Sequence, residues 1–535
     1  MKHTKHRRAL KGLSVSLIVV LAFVFFLAQN APSGIRVIEA SQTDSISQFG
    51  ITWTFSEPVT YGTYVNGDYW VVGPVEIVSF YPQSVDDGGR IINGSMVNPG
   101  GGTGQGGFDS YNSGSYSSSL NIAYGVSQSN PYVASTGSSI VSSVSNTQNP
   151  DRDEFLIDVA VLTVVASPPP VNSFRPPYAG SDKSLQVTYS EVDTAMLQSY
   201  ATLTPVGTAP AWWETELNVE RPFMDFGGSW SRRQIHGDHY SYTYGRETSQ
   251  HAGTITLKLL TDAPLDDKRD TLVGFIQRGI DLWGIYNDAI SNGRGTPWGP
   301  NGAHHGGRKW TILFAGALLN HSGMLNIGAD AASRNDPFHE DGQTEYIDQE
   351  RVDITQSSFS DRMLEDVQNY NPSAWDQFQT DYPALADIAG TGSWNTDSRD
   401  DEFHPYNAEM IGMPEWHGRA EGSVEGNAYF FHRFYRNVSA ISWHGQALSA
   451  LIMQLDDEWN YNAFFDYVHR HMTIARTATD PFESAIGYDP VAGLVTASTS
   501  WSRDWPNRDT GGTDIGAWVD DMWDQYWSTY YSFPY

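Results

Sequence analysis

The sequence predicts an α+β multidomain protein, with a β-sandwich-like domain over residues 41–180 and an (α/α) toroid over residues 181–535. Three observations carry that prediction. Aromatic and β-branched runs broken by Gly and Pro fill the chain up to about residue 170. Pro168-Pro-Pro170 and Pro176-Pro177 then read as a linker. Beyond about residue 185 the apolar period becomes helical, and connections rich in Gly, Asn, Asp and aromatic residues separate the helices.

Taken in order, residues 1–40 read as an export signal or N-terminal anchor. Lys2, Lys5, Arg7, Arg8 and Lys11 precede an apolar run from Leu13 to Ala28, short for a spanning helix. The reading is therefore a secreted or periplasmic bacterial protein, cleaved after Ala31 or Ala40 or held by the uncleaved segment. Ile51 to Phe55, Tyr69 to Val72 and Phe155 to Val165 are the strand signals, the last the strongest. Gly100 to Gly107 and Ser110 to Ser119 read as loops, and Asn93-Gly-Ser95 as a turn. Asp267 to Asn292 carries Leu272, Phe275, Ile276, Ile280, Leu282 and Ile285 at helical spacing. Further helices are expected over Val192–Leu203, Lys309–Leu319, Ser360–Tyr370, Ala440–Leu455, Ala463–Met472 and Ile515–Tyr526.

Composition narrows the chemistry. The net charge is −30, and residues 1–40 hold six Lys/Arg and one Glu, so the chain without them carries about −35. That acidity argues against nucleic acid and anionic membranes, and an anionic substrate would need a local basic patch. There is no cysteine, hence no disulfide and no thiolate metal site. No G-x-S-x-G elbow, Walker loop or H-E-x-x-H occurs. Gly102-x-Gly104-x-x-Gly107 lacks the βαβ context of a dinucleotide loop, so no nucleotide cofactor is expected. Of the 15 histidines, 13 fall between His236 and His471. Acid–base chemistry is therefore expected in the C-terminal two-thirds.

Five clusters stand out there. Gly302-Ala-His-His-Gly-Gly-Arg-Lys-Trp310 sets His304, His305, Arg308 and Lys309 at the mouth of an apolar helix, where backbone N–H groups attract an anion. Its plainer reading is a helix entry with solvated cations. Glu415, Trp416, His417 and Arg419 form either a ligand-contacting loop or an ion-paired one. Tyr435 lies beside Arg433 and Arg436, where cations favour phenolate, in what is otherwise an aromatic belt. Phe338-His-Glu-Asp-Gly-Gln-Thr-Glu-Tyr346 offers His339, Glu340 and Asp341 to a hydroxyl or a cation; metal is the minority reading, since adjacent residues rarely all face one ion. Asp225 to Arg233, with Tyr240 and Arg246, combines cations with stacking rings, or else forms an interdomain seam.

Gly-x-His-x-Gly-Gly-Arg-Lys-Trp, Arg278 to Ile285, Glu340 to Tyr346, Met413-Pro-Glu-Trp416, Tyr435-Arg436 and Trp459 to Tyr467 together resemble secreted bacterial helical-toroid polysaccharide lyases. The nearest is polysaccharide lyase family 38, which acts on alginate and glucuronan; the similarity covers about residues 220–475. Relatives tend to have a cysteine pair where this chain has Asn437-Val-Ser439, and His-Asp where it has Tyr461-Asn462. The resemblance implies β-elimination on an anionic polysaccharide, without a required cofactor; a structural divalent cation and the oligomeric state stay open. The expected roles are Tyr435 as acid or base, His304 or His417 as its partner, and Arg308 and Arg436 on the uronate carboxylate. Arg246, Tyr240, His305, Tyr346, Glu415, Trp416 and Arg419 are expected to contact substrate. The alternatives are a glycoside hydrolase using a carboxylate pair and a non-catalytic glycan-binding protein.

Overall fold

A computed structural model describes residues 39–102, 106–111, 116–147, 156–226, 245–350, 352–353, 408–416, 439–477 and 515–532. The expected leader, apart from residues 39 and 40, and the expected helix over 360–370 lie outside them. The fold is mixed α and β, with long strands up to Val165 and helices from Thr194 onward.

Ten strands come first: β1 (Ser41–Gln48), β2 (Ile51–Thr63), β3 (Tyr69–Val72), β4 (Val75–Tyr81), β5 (Val85–Asp87), β6 (Arg90–Ile92), β7 (Ser95–Val97), β8 (Tyr132–Ala134), β9 (Ser139–Ser145) and β10 (Leu156–Val165). β5 and β6 pair only with each other. The others form one eight-stranded sheet in the order β7-β9-β10-β3-β2-β4-β8, with β1 on β2.

β2 gives the sheet its curl. β1 pairs with it twice, Ser45–Gln48 against Ile51–Thr54 and Ser41–Thr43 against Val59–Tyr61. Pro58 falls in the irregular stretch between, where its missing N–H removes no ladder bond. On the other edge β4 takes Thr52–Phe55 and β3 takes Tyr61–Thr63. One strand thus feeds two branches, and the sheet closes round a core containing Trp53, Phe55, Ile77, Phe80, Ile140 and Leu162. β10 is buried along nearly all its length, between antiparallel β9 and parallel β3. Near-continuous apolar sequence is what a strand covered on both faces requires. The described strands wrap one core and do not form the two facing sheets of a sandwich.

The helical part begins with α1 (Thr194–Tyr200), α2 (Trp212–Leu217), α3 (Gly245–Leu259) and α4 (Leu265–Ser291). α5 (Arg308–Leu318), α6 (Ser322–Leu325), α7 (Ile327–Ser333) and α8 (His339–Gly342) follow, then a small ribbon of β11 (Thr344–Tyr346) and β12 (Pro414–Trp416). α9 (His444–Ile452), α10 (Asp456–Trp459), α11 (Asn462–Thr477) and α12 (Ile515–Tyr530) complete the described elements. α1 starts later than expected because the Asp193 carboxylate caps it, accepting the Met196 N–H at 2.7 Å. α4 packs on α5 and α3 on α9. A closed ring of helical hairpins is not formed by the described residues, and no described helix is long and apolar enough to cross a membrane.

Glycines set how closely these helices cross. A Cβ on Gly253 of α3 would lie 2.8 Å from the backbone of Gly445 and Gln446 in α9. Backbone cannot swing aside as a side chain can, so Gly253→Ala is expected to cost about 1–3 kcal/mol through overpacking. A fall in the thermal midpoint checks this; an unchanged midpoint would mean the crossing is loose.

The sheet is tied to the helices by one buried guanidinium. Arg175 donates from Nε to Asp68 Oδ2 at 2.6 Å, and from Nη1 and Nη2 to the two oxygens of Asp281 at 2.8 and 2.6 Å. Asp68 follows β2 and Asp281 lies mid-α4, so the triad bridges the two halves.

Candidate functional site

α5 opens on Gly307, which has a φ of +88° that favours glycine. The approach of α3 also demands glycine here. A Cβ on Gly307 would meet Ser249 Cα at 2.8 Å, and one on Gly245 would lie 2.1 Å from the His304 carbonyl carbon. The His304-His305 turn is therefore clamped against the first turns of α3, with Arg246 beside it.

The N-terminus of α5 already holds an anion. The Gly307 N–H donates to Glu340 Oε1 at 2.6 Å, and Gln446 Nε2 donates to the same oxygen at 2.9 Å. An external anion was the expected occupant; the chain's own carboxylate stands there instead. Burial pushes Glu340 above the usual carboxylate range, against the opposing pull of these two donors. Among the described residues its other oxygen, Oε2, is buried without a hydrogen-bond partner, as is Nδ1 of neighbouring His339. Burial, then the charges of Arg308 and His304, hold His339 well below the ordinary imidazole value, so it is neutral at physiological pH.

A raised carboxylate pKa means that the folded state binds the proton more tightly than the unfolded one. Glu340 therefore weighs against stability as pH rises above its unfolded value near ~4.3. Glu340→Gln keeps the Oε1 acceptor and removes the charge. The variant is expected to gain stability relative to the parent at pH 8 but not at pH 4, read by urea denaturation at both. A constant difference would mean that Glu340 is not the group responsible.

The two cations of the turn are both neutralised internally. Arg308 is 1% exposed; it donates from Nε to Asp225 Oδ2 at 2.9 Å and from Nη2 to Oδ1 at 3.1 Å. Lys309 donates to Asp341 Oδ2 at 2.5 Å and to the Trp459 carbonyl at 2.6 Å, while the Trp459 indole N–H holds Asp341 Oδ1 at 2.9 Å. Burial raises Asp341 and lowers Lys309, each opposed by the other's charge.

Rings connect the remaining parts. His305 and His339 stand edge to face at 6.1 Å, His339 meets Trp443 at 6.2 Å, and Trp443 stacks on Trp416 at 5.6 Å. The His305 Nδ1 lies 2.7 Å from the Gly299 carbonyl. Gly302 is gripped from two sides, its carbonyl accepting from Ser439 Oγ at 2.8 Å and Gln343 Nε2 at 2.6 Å. Ser439 is three residues past Arg436.

Of the expected site residues, Tyr240, His417, Arg419, Tyr435 and Arg436 lie outside the described residues. His304 is half-buried, its N–H bonded to the Asn301 carbonyl. Arg246 is the second residue of α3 and donates from Nε to Glu247 Oε1 at 2.8 Å. Tyr346, 37% exposed, donates its hydroxyl to Asp466 Oδ2 at 2.5 Å. Arg308, Glu415 and Trp416 are buried and held by partners within the chain. Arg308 is committed to Asp225. Glu415 is buried and accepts from Arg470 Nη1 at 2.8 Å, and Trp416 is 1% exposed against Trp443. They hold the site's shape.

Sequence reading passed over Gln446, Arg470 and Asp466. Gln446 interrupts an apolar helix, and Asp466 and Arg470 share one helix face at i and i+4, and that was the available signal. Among the described residues no three His, Asp or Glu are grouped to hold a metal. No protein-family model matches the chain, and neither does any curated protein or solved structure.

Proposed function

We propose that this chain is a polysaccharide lyase, of the helical-toroid kind nearest to family 38, that cuts a uronate-containing polysaccharide by β-elimination. Convergence carries the reading. Asp225, Arg246, His304 to Lys309, His339 to Asp341, Trp416 and Ser439 to Gln446 are remote in sequence, yet contacts between their segments link them into one region. Four of the five clusters singled out by residue chemistry thus have a member there, while Tyr435 with its neighbouring arginines lies outside the described residues. In this reading the leader exports the chain, the helices belong to an (α/α) toroid, and the β region packs against them through the Arg175 bridge.

The reaction sets three demands. The uronate carboxylate must be neutralised before the C5 proton becomes acidic, a base must take that proton, and an acid must protonate the leaving 4-oxygen. The electron pair of the broken C5–H bond forms the C4–C5 double bond as the C4–O bond breaks. Tyr435 serves as acid or base, with His304 or His417 as its partner. Arg436 meets the carboxylate, while Arg308, bound to Asp225, positions the histidine turn. Arg246 and Tyr346 flank the substrate, with His305 supporting the turn from beneath, and the substrate must be drawn in locally because the chain as a whole is acidic. No cofactor is needed for these steps.

The deciding experiment incubates purified protein with alginate, glucuronan, pectate and glycosaminoglycans while following ultraviolet absorbance of the conjugated double bond. A rise with one polymer supports β-elimination and names the substrate. New reducing ends without that absorbance would replace the proposal with hydrolysis by a carboxylate pair. Binding without chain cleavage would make the protein a glycan-binding module.

A further inference from the structure

A second feature lies on another part of the helical region and does not depend on the lyase reading. A groove of about 850 Å³ runs between the segment from Pro177 to Gln186 and the C-terminal half of α4, with His321 at one side. Its volume falls within the range of roughly 300–1,000 Å³ typical of small-molecule sites. The walls are built in. A Cβ on Gly284 would lie 2.1 Å from Pro177 Cβ, and one on Gly180, at φ +63°, would lie 2.8 Å from Asp288 Oδ1. Asp288 also accepts the Gly101 N–H at 2.9 Å, which fixes that wall to the β domain.

Trp283 forms the groove's aromatic surface. It is half-buried, braced from behind by Tyr286 at 5.9 Å and edge-on by His321 at 5.5 Å. Among the described residues its indole N–H makes no hydrogen bond, and neither does the side-chain amide of Asn287, one position past Tyr286. His321 uses Nδ1 to accept the Met324 N–H at 3.1 Å, which leaves Nε2 to carry the ring proton. Gln186 adds an exposed amide. The charged residues lining the groove, Asp182 and Asp288, are both acidic. The nearby Lys183 ammonium is spent on the Pro177 and Gly180 carbonyls at 2.5 and 2.8 Å.

A flat apolar ring bordered by amide, imidazole and carboxylate groups matches a pyranose, which presents a C–H face and a rim of hydroxyls. The absence of a cation from the lining disfavours a uronate. We propose that this groove is a second, non-catalytic binding site for a neutral saccharide, with Trp283 as the stacking platform and Asn287 and His321 as hydroxyl partners.

Affinity electrophoresis in native gels tests this, using laminarin, galactomannan and xyloglucan as neutral polymers and alginate as the anionic comparison. At least one neutral polymer is expected to retard the full chain. Trp283→Ala and, separately, Asn287→Ala should each weaken that retardation by about tenfold, with circular dichroism unchanged. The Asn287 side chain is half-buried and makes no hydrogen bond among the described residues, so its replacement keeps the test informative if Trp283→Ala unfolds. Retardation by alginate alone, neutral retardation that survives both substitutions, or none with any neutral polymer overturns the proposal. Loss or retention of uronate cleavage bears only on the other site.

Discussion

If the chain is the lyase proposed above, replacing His304 by alanine is expected to slow elimination by about two to four orders of magnitude, the usual worth of one acid–base group, while leaving the fold intact. Two of the contacts that set the turn are made by the His304 backbone. The His304 N–H meets the Asn301 carbonyl, and its own carbonyl lies under Gly245 of α3. Deleting the imidazole spares both. His305 provides the contrast, since its buried ring lies 2.7 Å from the Gly299 carbonyl. His305→Ala should lower the thermal midpoint as well as the rate. The pair of variants therefore separates chemistry from support. Steady-state kinetics on the polymer found by the absorbance assay, with melting curves for both proteins, is the measurement. A His304→Ala enzyme with unchanged kcat removes His304 from the mechanism and leaves His417 as the candidate partner of Tyr435.

Different parts of this molecule were legible in the sequence to different degrees. α4 was readable because six apolar residues repeat at helical spacing, and β10 because its apolar run is too short and too β-branched for a helix. α3 was not. Thr254-Ile-Thr-Leu-Lys-Leu259 alternates like a strand and Gly253 weakens a helix, yet contact with Gly445 of α9 decides the outcome. The chemical clusters were visible as residue types, but their pairing was not. Arg308 looks free until Asp225, 83 positions away, is folded against it. The helix mouth looks vacant until Glu340 fills it. Local pattern reports which groups are present, while tertiary contact decides which keep a charge to offer a ligand. The curl of the sheet was hidden for the same reason. It depends on β3 and β4 sharing one edge of β2, which no local pattern records.

The largest loss of stability is expected from Arg175→Met. The substitution keeps much of the side-chain volume but strands Asp68 and Asp281, both buried, with no cation between them. Breaking a buried pair from one side typically costs about 3–5 kcal/mol, because the remaining charge is left desolvated, and here two charges remain. Burial already raises Asp281 above the usual carboxylate range despite the arginine. Without Arg175 it rises further, so the folded variant holds a proton that its unfolded chain has released. The penalty is therefore present at neutral pH and shrinks as pH falls toward the unfolded value near ~3.9. Urea denaturation at pH 7 and pH 4 should show the gap from the parent narrowing in acid. A gap of equal size at both would mean that lost packing, rather than stranded charge, is responsible. Arg175→Met combined with Asp68→Asn and Asp281→Asn should recover part of the loss at pH 7, since the uncompensated charges are then gone. Restored stability would show that the bridge between the sheet and α4 rests on shape as well as charge. Continued loss would show that the guanidinium's hydrogen bonds to Asp68, Asp281 and the Pro176 carbonyl are what join the two halves.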